Sequence, residues 1–442
     1  MDMETQVAEE TVQHAARPES HPLRGVLVSA FRRLMRLYFR DVERVGIPPG
    51  ADTRGRVIVS NHTNALIDPV LVLTDAACEI SPVAKSTLWD IPGLRWLLDR
   101  AGAVPIVRRK DTPDKDASQN NAIFEKIAQH LSRGGNILIF PEGTSHNEPQ
   151  LAPLRTGAAR MLLAAEAARG TKPTFQAAAL EFDNRSDFRS RCLVLWGPVR
   201  HFADVMGDDE ERIRAATAMM KDDLAELLVE GETHEERLRI ARVAELLAND
   251  GAGLAPLERW SGIGRQVELA NRTLRSVDPT LITRVAEHVD RYYAELDRLG
   301  LVDEQVTGER FDPVSSPLWK KIALAPLAAS GFALYALPYF IPRWVARGKD
   351  EDAVSTIKLG AALLVYPIWM GGLVAGSLVL LPPPLSFAAA AVAIASPFAA
   401  LRWLDAWYQR GKSATSDDLA RLARLRIAAR TAIDEARSRL PS

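Results

Sequence analysis

Residues 56–69 read RVIVSNHTNALIDP: an apolar, β-branched run, an Asn-His turn, and the start of an amphipathic helix at 66–77. Residues 136–145, NILIFPEGTS, repeat the form, with a strand-like run ending in a Pro-Glu-Gly turn before the helical pattern at 156–168. Two further strand-like runs lie at 174–182 and 192–196, and helical patterns occupy 90–101 and 117–133. Strands alternating with helices predict an α/β fold, a mixed and mostly parallel sheet covered by helices.

Chemistry gathers where these strands end. His62 leaves the first strand and Asp68 follows six positions later. An imidazole is the usual base for a hydroxyl, and a carboxylate can fix its tautomer. A capping Asp and an unrelated surface His would give the same spacing. The second strand ends in Pro141-Glu142-Gly143-Thr144-Ser145, a tight turn whose backbone N–H groups can receive an oxyanion or phosphate. Arg155 opens the next helix, where a cation beside a helix N-terminus suits a phosphate. Arg108 and Arg109 follow the apolar segment GAVPIV. Each cluster alone also reads as a turn with solvated arginines.

Moving outward, the 442-residue chain is long enough for two to four domains of roughly 100–200 residues. Fifty-five basic residues against 56 acidic ones leave a net charge of −1, which argues against a general nucleic-acid binder. Cys78 and Cys192 can form neither a disulfide framework nor a zinc cluster, and no metal constellation is visible. Residues 1–22 read as a disordered, polar tail without a signal peptide.

Residues 23–50 read as an amphipathic helix on the membrane surface, its apolar stripe interleaved with Arg24, Arg32, Arg33, Arg36 and Arg40. Packing of this helix on the following domain is the equal alternative. From 206 to 318 the pattern is a charge-rich helical extension.

Residues 319–405 read as a transmembrane region. The stretch 359–401 carries no charge and holds Pro382-Pro383-Pro384, so it divides into a hairpin of two spans, 359–381 and 385–401. Residues 322–342 are also uncharged but contain Pro326 and Pro338 and have basic flanks, and read as re-entrant or interfacial. Lys358 before the hairpin and Arg402, Arg410 and Lys412 after it put both ends in the cytoplasm. Residues 406–442 then form a cytoplasmic helical tail.

In order and spacing, the motifs resemble those of the glycerolipid acyltransferases, the PlsC-like superfamily of glycerol-3-phosphate and lysophosphatidic acid acyltransferases. Asn61-His62 with Asp68 resembles the first block, although five residues rather than four separate His from Asp. That spacing, and the segment FDNRSDFRSRCLVLWGPV, are similar to the fungal-type glycerol-3-phosphate/dihydroxyacetone-phosphate branch. GAVPIVRR resembles the second block, and FPEGTS with PLRTGA the third.

The resemblance implies a catalytic domain over 51–205 and direct acyl transfer from a thioester to a hydroxyl. His62 would be the general base and Asp68 its orienter. Arg108 and Arg155 would hold the acceptor's phosphate, with Arg109 and Lys85 as lesser candidates. Glu142, Gly143 and Thr144 would shape the acceptor site. No cofactor is implied, because acyl-CoA or acyl-carrier protein is a co-substrate. The implied partners are membrane lipids, a glycerol phosphate acceptor and the acyl thioester donor. The catalytic domain would face the cytoplasm in a multi-pass or hairpin-anchored chain. Two alternatives stand beside this: a lysophospholipid acceptor, and a catalytically idle lipid-binding membrane protein.

Overall fold

The structure is a computed structural model describing residues 23–50, 55–91, 93–106, 119–169, 172–249, 257–303, 306, 318–408 and 415–440. It divides into two compact units, Met1–Leu228 and Val229–Ser442.

In the first unit, helix α1 (Arg24–Tyr38) precedes β1 (Asp41–Val45), β2 (Arg56–Ser60), α2 (Ile67–Asp75) and β3 (Ser81–Lys85). Then come α3 (Leu94–Ala101), β4 (Val104–Ile106), α4 (Gln119–Ser132), β5 (Asn136–Ile139) and α5 (Gly157–Arg169). Strands β6 (Thr174–Phe182) and β7 (Arg191–His201) and helix α6 (Asp209–Ala225) complete it. The strands form one seven-stranded sheet in the order β1-β7-β6-β2-β5-β3-β4. Every neighbouring pair is parallel except β6 with β7. Strands β2 and β5 are buried along their whole length and β6 along nearly all of it, as a sheet covered on both faces requires. The covering helices form two packed groups, α1 with α2 and α3, and α4 with α5 and α6.

Two boundaries differ from the sequence reading. The helix expected over 23–50 stops at Tyr38, and Asp41–Val45 instead pairs with β7 as an edge strand. Three of its five residues, DVERV, are charged and it is only partly buried, so no apolar alternation marks it. Residues 209–225, read as part of the extension, belong to the first unit, because α6 buries Ile213, Ala216, Met220 and Leu224 and packs on α5, β6 and β7.

Helix α1 is fastened to its own unit. Arg24 is buried, donates to the Ile80 carbonyl and pairs with Glu79 at 3.6 Å; burial lowers its pKa. Arg32 donates to the Thr74 carbonyl at 2.7 Å. Arg189 reaches back to the Leu37 and Phe39 carbonyls, both at 3.1 Å, and so closes the helix C-terminus. Arg33 and Arg36 stay exposed beside Val26 and Leu37, the part of α1 still available to a lipid surface.

The second unit comprises α7 (His234–Ala248), α8 (Leu257–Val277), α9 (Pro279–Leu299), α10 (Leu318–Val345), α11 (Glu351–Leu380), α12 (Leu385–Tyr408) and α13 (Ser416–Ser438). Segments Ile322–Val345, Glu351–Leu380 and Leu385–Asp405 are long and apolar enough to cross a membrane. Helices α10, α11 and α12 pack on one another. A Cβ at Gly331 would meet the Ser396 carbonyl at 2.3 Å, so glycine permits the close approach of α10 to α12. Tyr335 donates to the Ala393 carbonyl at 2.7 Å, and Trp369 Nε1 to the Leu334 carbonyl at 2.8 Å.

The tail does not stand apart. Helix α13 inserts Leu422, Ala429 and Ile433 into a cluster with Val243, Leu246, Val289, Tyr292 and Leu296 of α7 and α9. Buried Asp303 joins the group by accepting from Tyr292 at 2.5 Å, Asn249 at 3.1 Å and Arg426 at 2.9 Å.

Candidate active site

Adjacent parallel strands β2 and β5 deliver the two central motifs side by side. The loop after β2 carries His62, and the turn after β5 carries Glu142. Ligand sites in such sheets lie beyond the carboxyl ends of the strands.

Asp68 lies in the first turn of α2, fully buried. Its Oδ2 accepts from His62 Nδ1 at 3.0 Å and from the Thr63 and Asn64 amides, each at 2.7 Å. Helix α2 therefore fixes the carboxylate, and the carboxylate fixes the loop. Between His62 and Asp68 the chain bends at Ala65, whose φ of 33° is uncommon outside glycine. With Nδ1 committed to Asp68, Nε2 is the nitrogen left to accept a proton. The imidazole is stacked on Phe140, with ring centroids 4.1 Å apart, and its side chain is 14% exposed: held, yet reachable. Asn61, just before it, exchanges two hydrogen bonds with the backbone of Leu180 at 2.8 and 3.0 Å, extending the β2–β6 ladder up to the base.

Glu142 is buried and turned inward onto the site's own loops. Oε1 accepts from the His62 amide at 2.7 Å; Oε2 accepts from the Ala152 amide at 2.9 Å and from His146 Nε2. The His146 amide returns a bond of 3.1 Å to the His62 carbonyl. One carboxylate thus clamps the β2 and β5 loops and the approach to α5.

His146 follows the Pro-Glu-Gly turn, matches no position of the family motifs and reads from the sequence as a surface residue; the structure makes it part of this clamp. Glu142 raises its pKa, so the imidazolium is favoured in the fold. A group with a raised folded pKa stabilises fully below its unfolded pKa of about 6.5, and that contribution is lost as pH rises through the folded value. The stability gap between the wild type and His146→Gln should therefore be wider at about pH 6 than at about pH 8.5 in thermal unfolding. An unchanging gap would remove the charge from the clamp.

Gly143 adopts φ +81°, and a Cβ there would stand 2.6 Å from Arg155 Nε, so only glycine lets the Arg155 side chain lie across the turn. The Arg155 amide donates to the Pro141 carbonyl at 2.8 Å. No hydrogen bond or ion pair engages its guanidinium among the described residues, and the residue is exposed. Thr144 is also exposed, its hydroxyl 3.3 Å from the Ser145 carbonyl. Lys85 ends β3 and makes no hydrogen bond to the His62–Glu142 group among the described residues. Arg108 and Arg109 lie outside the described residues. In the FRSR segment, Phe188 packs edge-on against Tyr38, Arg189 binds the end of α1, and Arg191 pairs with Asp183 at 3.2 Å, which makes this block an attachment for α1. Cys192 is fully buried in β7, and Cys78 Sγ is 3.3 Å from Asn136 Nδ2; both pack rather than react. No group able to hold a metal occurs among the described residues.

A histidine held by a buried carboxylate, beside a glycine turn and an exposed arginine, is an arrangement able to activate a hydroxyl. Residues 42–176 match the family model described as Acyltransferase. Glycerol-3-phosphate O-acyltransferase 2 of Saccharomyces cerevisiae is 26% identical over 277 residues, 56% of this chain and 37% of that one. The 1-acyl-sn-glycerol-3-phosphate acyltransferase BAT2 of Brassica napus is 26% identical over 121 residues, 27% of this chain and 33% of that one. The lyso-ornithine lipid O-acyltransferase of Pseudomonas aeruginosa is 31% identical over 93 residues, 21% and 32% of the two chains. The crystal structure of the 1-acyl-sn-glycerophosphate acyltransferase PlsC from Thermotoga maritima aligns at a TM-score of 0.34 and 15% identity, covering 49% of this chain and 86% of that one. Residues 42–176 are an acyltransferase domain, similar in sequence to acyltransferases of the glycerolipid type. The alignments span 32–37% of the lengths of these curated relatives.

Proposed function

We propose that the protein is a membrane-bound acyltransferase that moves a fatty acyl group from an acyl thioester to a hydroxyl of glycerol 3-phosphate or dihydroxyacetone phosphate. The observation that carries this is the His62–Asp68 pair, bonded at 3.0 Å and clamped through Glu142 next to Arg155. His62 Nε2 takes the acceptor's hydroxyl proton as its oxygen attacks the thioester carbonyl. The tetrahedral oxyanion then collapses and expels the thiolate, which recovers a proton from the imidazolium. Asp68 holds the tautomer and offsets the imidazolium charge. The open guanidinium of Arg155 suits the acceptor's phosphate, with Arg108, Arg109 and Lys85 as further cations for the same group. No enzyme nucleophile is required, and both cysteines stay out of the reaction.

The family likeness to 1-acyl-sn-glycerol-3-phosphate acyltransferases supports a second reading in which the acceptor is a lysophospholipid. Membranes containing the full chain, supplied with labelled acyl-CoA and either glycerol 3-phosphate, dihydroxyacetone phosphate or lysophosphatidate, separate the two. Product from lysophosphatidate alone overturns the first reading, and product from none of the three overturns both.

Arg155→Ala should raise the KM for the phosphate acceptor by about tenfold or more while leaving that for the acyl donor nearly unchanged, since a charge-assisted contact contributes about 1.5–3 kcal/mol. Equal increases for both substrates would assign Arg155 to the fold of the turn.

A further inference from the structure

Three helices are long and apolar enough to cross a membrane, and the helices on either side of them are packed together. Helix α9 comes before the three and α13 after them. They share the apolar cluster and are joined by Arg284–Glu435 at 2.7 Å and Arg298–Asp418 at 3.1 Å, while Arg426 of α13 also binds Asp303, just past the end of α9, at 2.9 Å. Two water-facing helices that pack this way lie on one side of a bilayer. The chain between them must then cross an even number of times, and three crossings are excluded.

The connecting segments cannot restore the balance. Residues 302–317 contain Asp303, Glu304, Glu309, Arg310 and Asp312, and residues 409–415 contain Arg410 and Lys412. Neither has the uncharged length that a further crossing needs.

Charge identifies the helix that does not cross. Basic residues flank α10 at both ends: Lys320 and Lys321 before its apolar stretch, Arg343, Arg347 and Lys349 after it. The turn between α11 and α12, Leu381–Pro384, is uncharged, and basic residues return at Arg402, Arg410 and Lys412. Basic residues stay on the cytoplasmic side, so both ends of α10 are cytoplasmic and only the α11–α12 turn lies on the far side. If α10 crossed, the Arg343–Lys349 cluster would have to be translocated.

We infer that α10 enters and leaves the bilayer on the face that carries α9 and α13, and that α11 and α12 form the crossing hairpin. The partner of α10 is the lipid of that one leaflet. Its outward apolar side chains, Ile322, Leu337, Phe340 and Trp344, are all more than half exposed in the structure and supply the contact. The proline residues Pro326, Pro338 and Pro342 are compatible with an oblique, one-sided path. This inference rests on the membrane reading of α11 and α12 and is independent of the acceptor.

The test places single cysteines at Val302, Lys349, Leu381 and Arg437 in a chain carrying Cys78→Ser and Cys192→Ala that retains acyl transfer. Cells are treated with a membrane-impermeant maleimide before and after permeabilisation, each signal being scaled to labelling after denaturation. Leu381→Cys should label in intact cells, and the other three only after permeabilisation. Labelling of Lys349→Cys in intact cells would show that α10 crosses and overturn the inference. Val302→Cys and Arg437→Cys on opposite faces would overturn the parity argument. A Leu381→Cys signal only after permeabilisation or denaturation would instead sink the crossing hairpin itself.

Discussion

His62→Ala should lower turnover by about 10²–10⁴-fold, the usual share of general-base catalysis, with little change in the unfolding temperature. The loop around His62 is held by bonds that alanine leaves in place: its amide to Glu142, its carbonyl to His146, and the Thr63 and Asn64 amides to Asp68. Asp68→Asn should lose part of the same activity, because the amide can still accept from one neighbour but no longer balances the imidazolium charge. Single-turnover measurements with the preferred acceptor check both variants. Near-normal turnover by His62→Ala would remove it as the base.

The largest effect on stability is expected in the other unit. Arg426→Ala removes the guanidinium that bonds fully buried Asp303 and also the Leu246 carbonyl. Breaking one partner of a buried pair costs about 3–5 kcal/mol, since the remaining charge keeps its desolvation penalty. Tyr292 and Asn249 still donate to Asp303, so the loss belongs at the lower end of that range. Denaturant unfolding of the full chain in detergent, followed by protease cutting within α7–α9, measures it. Adding Asp303→Asn to Arg426→Ala should recover part of the loss. No recovery would mean that α13 is held by its apolar contacts alone.

The sequence reveals an element where one local pattern decides it. RVIVS and NILIF are nearly uniform apolar runs, and the strands they form, Arg56–Ser60 and Asn136–Ile139, are buried throughout. Strand β1 is invisible because DVERV looks like surface, and its pairing partner lies some 150 residues away. Strand β3 is equally short of signal: only Ser81 and Pro82 pair with β5, while the remainder pairs with the three-residue β4.

The site divides in the same way. His62 and Asp68 are near neighbours in sequence, and their bond is legible from spacing and chemistry. The clamp is not, because Glu142 and the His62 amide are 80 positions apart. His146 sits in the polar stretch SHNE and differs from a solvated histidine only through that distant partner. The arginines of α1 show the limit from the other side. Their amphipathic pattern announces a surface, yet Arg24 and Arg32 reach carbonyls of their own unit, a choice that depends on where α2 and β3 lie in space.

The order of the helices along the chain has a consequence for biogenesis. Helix α13 completes the cluster with α7 and α9, but a ribosome makes it only after α10, α11 and α12 have emerged. The helical cluster therefore cannot close until α10, α11 and α12 have been synthesised, and under the inferred topology its closure would need α13 on the side where α9 lies. A chain whose hairpin inserts the wrong way leaves Val289, Tyr292 and Leu296 without their cover, a surface that proteases and chaperones recognise. With α11 and α12 crossing as inferred above, closure of the unit would act as a check on insertion. Pulse-labelled chains stopped before residue 415 should stay protease-sensitive across α7–α9 and become resistant once α13 is released; resistance already present in the stopped chains would refute the coupling.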